Sequence, residues 1–120
     1  MGFDNHFNAA VEAVRDNKLT VKWGGAPINL RWHSRFGSPQ PGARAEIFFR
    51  ADNASLLAGT EASGLAGQVI LHTFHGNELR YLVETEDGEF SIMQDSDSER
   101  FEPGAAVTVQ PQTQKWIAII

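Results

Sequence analysis

Arg31, His33 and Arg35 recur at every second position. In an extended strand that spacing sets all three on one face. Such a face could hold an oxyanion or an acidic partner surface through charge-assisted hydrogen bonds. The plainer alternative is a solvated exterior, with Leu30, Trp32 and Phe36 turned inward. His72 and His75 lie three apart, so in a strand they point to opposite faces and make poor joint metal ligands unless a bulge intervenes. His6 reads as an incidental residue near the N-terminus. Asp95, Asp97 and Glu99 superficially resemble a calcium loop, yet they lack the spacing, the central glycine and the distal bidentate glutamate of an EF-hand. Glu84 and Glu86 pose the question of paired acid/base carboxylates. On an alternating strand they share a solvent face, with no apolar pocket to split their pKa values.

Other chemistry is excluded by what the sequence does not contain. There is no phosphate-cradling Gly-x-x-x-x-Gly-Lys-Ser/Thr loop, no Gly-x-Ser-x-Gly elbow and no His-Glu-x-x-His pair. There is no cysteine, which removes disulfides, thiol catalysis and thiolate metal sites together. No catalytic residue, metal site or cofactor is therefore expected.

The elements that would position these residues are strands. Phe7–Val14 ends at Asp16-Asn17, a turn pair. Leu19–Trp23 alternates apolar and polar up to Gly24-Gly25, a two-residue hairpin signal, and Ile28–Trp32 alternates again. Ser38–Gly42 reads as a loop, Ala45–Arg50 as a central apolar strand and Asn53–Leu57 as a short edge strand. Thr60–Leu65 is a connector. Gly67–Phe74, Leu79–Thr85 and Phe90–Met93 follow, separated by turns at Gly76-Asn77 and Asp87-Gly88. The acidic stretch Asp95–Pro103 reads as a solvated loop, and Val107–Val109 and Lys115–Ile120 as the closing strands. Only Phe7–Val14 and Ala51–Leu57 have any claim to helix.

Val11–Trp32 and Val69–Met93 share one order of strands and turns, and each reaches a Pro-Gly pair (Pro41-Gly42, Pro103-Gly104) before a further strand. A duplicated β-meander follows, because each unit alone would leave open edges and half a core. The expected fold is all-β, with OB-like small barrels or one barrel exchanging strands between halves. Residues 1–59 form the first half-repeat and 60–120 the second, packed as one unit. The large aromatics are core candidates. Trp116, with Ile117 and Ile119, is a candidate for closing a barrel or for a dimer seam.

The 120 residues carry a net charge of −5, unevenly spread. Up to Gly59, seven Lys/Arg stand against five Asp/Glu, a net of +2; from Thr60 onward three stand against ten, a net of −7. Nucleic-acid binders carry the opposite surplus, so that class is disfavoured. No apolar run approaches the ~20 residues of a membrane helix and no secretory signal is evident, so a cytoplasmic protein without membrane insertion is expected.

The order of motifs resembles a known family. Gly67-x-Val69 with Phe74-x-Gly76, then Arg80-Tyr81-Leu82-Val83, Asp87-Gly88 and Pro103-Gly104-x-x-Val107, is similar to the TOBE domain. That domain follows the ATPase in ATP-binding subunits of bacterial ABC importers for spermidine/putrescine, ferric iron, sulfate and related solutes. Upstream, Gly2-x-x-Asn5 resembles the segment leaving the ATPase domain. Arg50-Ala51-Asp52 stands where the family commonly shows Arg-Pro-Glu, and Ser34–Arg44 is an unusual insertion. The resemblance implies a non-catalytic regulatory or dimerising domain, itself a homodimer. Its partners would be an ATPase domain and permease subunits at the inner face of the cell membrane. The alternative it leaves open is a free-standing small-oxyanion binder, for which Arg31, His33 and Arg35 are the candidate ligands.

Overall fold

The computed structural model describes residues 3–33, 39–60 and 64–120. Arg35 and Phe36 lie outside them. The described chain is strand throughout apart from turns and two single turns of 3-10 helix, at Ala51–Asn53 and Thr113–Lys115. Helix has no foothold because polar and apolar residues alternate singly and Gly, Asn and Asp break the chain every few residues.

Two sheets form. The first is ordered β1-β5-β11-β4-β3-β2, from β1 (Asn5–Ala10), β2 (Ala13–Arg15), β3 (Lys18–Trp23), β4 (Ala26–His33), β5 (Arg44–Phe49) and β11 (Ile117–Ile119). β1 and β2 are successive segments of one bent strand that flanks the sheet at both ends, which rolls it into a barrel; Val11 and Glu12 at the bend bond to Ala43 and Thr20. The second sheet is ordered β6-β10-β7-β8-β9, from β6 (Ala54–Ala58), β7 (Leu65–His75), β8 (Glu78–Thr85), β9 (Gly88–Asp95) and β10 (Ala106–Pro111).

The two barrels follow one path. β4 and β9 begin at residues 26 and 88, β5 and β10 at 44 and 106, and the two 3-10 turns at 51 and 113, each a step of 62 residues. After each 3-10 turn the chain crosses over: β6 pairs antiparallel with β10, and β11 pairs antiparallel with β5 and parallel with β4. The strand expected over Lys115–Ile120 is accordingly shorter, because Lys115 completes the second 3-10 turn that redirects the chain. Ala51–Asn53 makes the equivalent turn, with the Asn53 N–H donating to the Arg50 carbonyl at 2.9 Å.

Both sheets bury their inner faces in one continuous core. At its centre Phe49 stacks on Trp116 with ring centroids 4.1 Å apart, and Trp23 meets Trp116 edge-on at 5.1 Å. Phe90 of the second sheet reaches into the same group, 5.6 Å from Trp23. The two indoles at the centre of the core are satisfied: Trp23 Nε1 donates to the Val109 carbonyl at 2.9 Å and Trp116 Nε1 to that of Asn53 at 2.8 Å. Each bond ties the first barrel's aromatic core to a strand or turn of the crossover, so packing and hydrogen bonding reinforce one arrangement. Gly24 marks another close approach. Its φ of +61° belongs to the hairpin turn, and a Cβ there would run into the Gly64 backbone just ahead of β7.

Candidate functional site

Hairpin registers decide which charges become neighbours. The turn at Asp16-Asn17 sets Arg15 opposite Lys18, and the turn at Gly24-Gly25 sets Lys18 opposite Arg31. Beyond Arg31 the same line continues through Ile117, Phe48 and His6. All six side chains lie on the outer face of the first barrel, since the residues between them, such as Leu19, Leu30, Ala118 and Ile47, are buried. Cross-strand neighbours stand about 5 Å apart at Cβ, so three cations are packed side by side. Two ion pairs occur among the described residues, Lys22–Glu12 and Arg80–Asp4, and neither involves this line.

Beside it, Arg15, Asp16, Lys18, Thr20 and Asn29 line a recess of about 270 Å3. The Thr20 hydroxyl donates to Asn29 Oδ1 at 2.6 Å. That bond occupies the amide oxygen and leaves the Asn29 N–H2 as the group offered outward. Arg31 is steadied from the other side, where its Nη2 donates to the Gln114 carbonyl at 3.2 Å. The recess therefore presents an ammonium, a guanidinium and an amide donor, with Arg31 adjacent and the Asp16 carboxylate at the rim. Chemically the cations and the amide are a set of donors for an oxyanion.

His33 is exposed on the same face as Arg31, in register with Ile119. Arg35 lies outside the described residues, so the structure places two of the three expected ligands and adds Lys18 and Arg15. Those two could have been found from the sequence: each flanks a two-residue hairpin turn, and such a turn fixes the register of both its strands.

The other candidates fall elsewhere. Trp116 is wholly inside the core, Ile117 is half-buried beside Phe48, and Ile119 is 43% exposed. His72 faces inward with Tyr81 and donates from Nδ1 to the Phe101 carbonyl, 3.1 Å away, whereas His75 meets Thr73 on the outer face. Among the described residues no three His, Cys, Asp or Glu converge as metal ligands would. Glu84 stands directly opposite Glu89, and with Gln68 and Glu86 they line a shallow groove of about 580 Å3 on the second barrel. A third cleft, of about 300 Å3, lies where Arg50 and Asp52 meet Lys115 beside the crossover. Among the described residues no helix is long and apolar enough to cross a membrane.

Comparison with known proteins supports the family resemblance. No curated protein matches the chain in sequence. Among solved structures, the cytoplasmic molybdate-binding protein ModG, in a form with molybdate bound, superposes with a TM-score of 0.77 at 15% identity. The match covers 98% of this chain and 96% of that one. The likeness establishes a shared fold, the OB-like arrangement expected from the strand pattern. The family model of the TOBE domain matches residues 50–119, from the residue before the first 3-10 turn through the end of β11. With more than half of its length so matched, this chain belongs to the TOBE-domain family.

Proposed function

We propose that this chain is a non-catalytic regulatory module that binds a small tetrahedral oxyanion on the outer face of its first barrel. One observation carries the reading: Arg15, Lys18 and Arg31 stand shoulder to shoulder with no acidic partner among the described residues. Like charges placed directly across strands cost stability, so their alignment makes sense when an anion relieves it. Lys18 and Arg31 are the principal ligands, with Arg15 and the Asn29 amide completing the donor set and His33 alongside. The molybdate carried by ModG supports the ligand class. The halves 1–59 and 60–120 act as one unit.

Calorimetric titration with molybdate, sulfate and phosphate tests the proposal. Binding is expected with at least one anion, weakened about tenfold, or ~1.4 kcal/mol, by Lys18→Gln or Arg31→Ala. Absence of heat with every anion at millimolar concentration would overturn it.

A finer reading sets the module behind an ATPase domain, in the ATP-binding subunit of an ABC importer at the inner face of the cell membrane. There it would work as a homodimer with permease subunits as partners. The ordered motifs from Gly67 to Val107 favour it. Reading the coding DNA upstream and in frame decides between the two settings. A phosphate-binding loop and an ABC signature there support the accessory domain, and a stop codon supports the free-standing binder.

A further inference from the structure

The two crossover turns meet at the cleft of about 300 Å3 lined by Phe3, Arg50, Asp52, Asn53 and Lys115. Hydrogen bonds fix its walls. The Asn53 carbonyl accepts both the Gln112 N–H at 3.0 Å and the Trp116 indole N–H at 2.8 Å, which locks the second turn against the first. Phe3 is set by the two residues after it. Asp4 Oδ2 accepts the Ala51 N–H at 2.8 Å. Asn5 bonds twice to Ser91 of β9, donating from Nδ2 at 2.8 Å and accepting at Oδ1 at 2.7 Å. The Phe3 ring leans on that of Phe48, with centroids 5.9 Å apart, and stays 43% exposed.

The polar groups on these walls are left over by the fold. Arg50, Asp52 and Lys115 make no ion pair with one another or with any other described residue. Asn53 is buried, with 7% of its surface exposed. Its Oδ1 accepts the Arg50 backbone N–H at 3.4 Å, while its Nδ2 donates to no described residue. The amide N–H2 of a buried side chain is thus free for a ligand. The turn itself does not call for the charges. At the 62-residue step Gln112 and Gln114 stand in the second turn where Arg50 and Asp52 stand in the first, and both turns form.

We propose that this cleft binds a free α-amino acid with an aromatic side chain. Two cations, an amide donor and one carboxylate match a ligand that carries an anion and a cation on neighbouring atoms. The Arg50 guanidinium, the Lys115 ammonium and the Asn53 amide take the α-carboxylate, and Asp52 takes the α-ammonium. The exposed Phe3 ring covers the side chain. A purely anionic ligand would be repelled by Asp52, and a polyamine by Arg50 and Lys115. The volume stands at the lower end of small-molecule sites, which suits one amino acid and no larger ligand. The cleft shares no lining residue with the recess of Arg15, Lys18 and Asn29, so this inference is independent of anion binding there.

Titration of the full chain with L-phenylalanine, followed by amide NMR shifts, tests it. Saturable binding is expected at millimolar concentration or below, with the shifts centred on residues 50–53 and 115. Two analogues separate the charges: 3-phenylpropionate lacks the ammonium and phenethylamine lacks the carboxylate. Each should bind about tenfold more weakly or worse, the loss of one charge-assisted hydrogen-bonded contact. Asp52→Asn should erase the preference for phenylalanine over 3-phenylpropionate, and Lys115→Gln should weaken both of those ligands. Both residues are exposed, so neither change should lower the unfolding midpoint. Lys18→Gln should leave phenylalanine binding as it was. Absence of shifts at about 10 mM phenylalanine overturns the proposal. So does 3-phenylpropionate binding as tightly as phenylalanine, a preference that survives Asp52→Asn, or binding lost in Lys18→Gln.

Discussion

β11 lies between β4 and β5 and is hydrogen-bonded along both flanks, whereas its counterpart β6 is bonded to β10 alone and reaches β9 through a single side chain. The 62-residue step places Gln94 of β9 at the position held by Trp32 in β4. In the first barrel the backbone ladder closes the seam, and Trp32 fills space, its indole N–H buried without a partner among the described residues. In the second barrel a side-chain amide takes over the work of the ladder, with Asn5 doing the same for β9 a little further along. One chain path thus tolerates two kinds of closure, because a backbone N–H needs an acceptor of the right direction and not a particular strand.

The comparison can be broken where it is strongest. Trp116→Ala removes the ring stacked on Phe49 at the start of β11 and leaves a cavity at the centre of the shared core. Urea unfolding should show a loss of about 3–5 kcal/mol. A loss below about 1 kcal/mol would mean that β11 is held by its ladders alone. The side-chain seam should be weaker. Gln94→Ala leaves the Leu56 N–H without its acceptor, and water can partly replace it at this half-buried position, so about 1 kcal/mol is expected. Amide hydrogen exchange at Leu56 should accelerate in that variant while exchange at Ala118 stays unchanged. The smallest effect has the opposite sign. Lys18→Gln removes the middle cation from between Arg15 and Arg31 and should raise stability by about 0.5 kcal/mol in low salt, the gain fading as salt screens the face. The barrels differ here too, because the second carries opposed carboxylates at Glu84 and Glu89 in place of opposed cations.

Much of the fold was legible because strand alternation and turn residues are local. Leu19–Trp23, Ile28–Trp32, Ala45–Arg50 and Leu79–Thr85 all lie within or almost wholly within observed strands. Phe7–Val14 reads as one strand but bends at Val11-Glu12, where the backbone leaves β5 to meet β3; nothing in that short apolar run marks the change of partner. The crossover of β6 and β11 is a contact between segments about 50 to 90 residues apart, which periodicity does not encode. Of the cationic face, Arg31 and His33 were legible from strand spacing. Lys18 and Arg15 required the further step of running the hairpin registers across three strands.

The position of β11 has a consequence for how the molecule comes into being. Every other strand of the first barrel lies within residues 5–49, yet the slot between β4 and β5 stays open until residues 117–119 arrive. At ~5–20 residues per second, the 70 residues from 50 to 119 take roughly 4–14 s to synthesise. During that interval the first barrel stands as an unfinished sheet, its edges bare and the space for Trp116 unfilled. The half of the protein that is made first is therefore the last to be completed, and its survival until then depends on what shields that slot in the nascent chain.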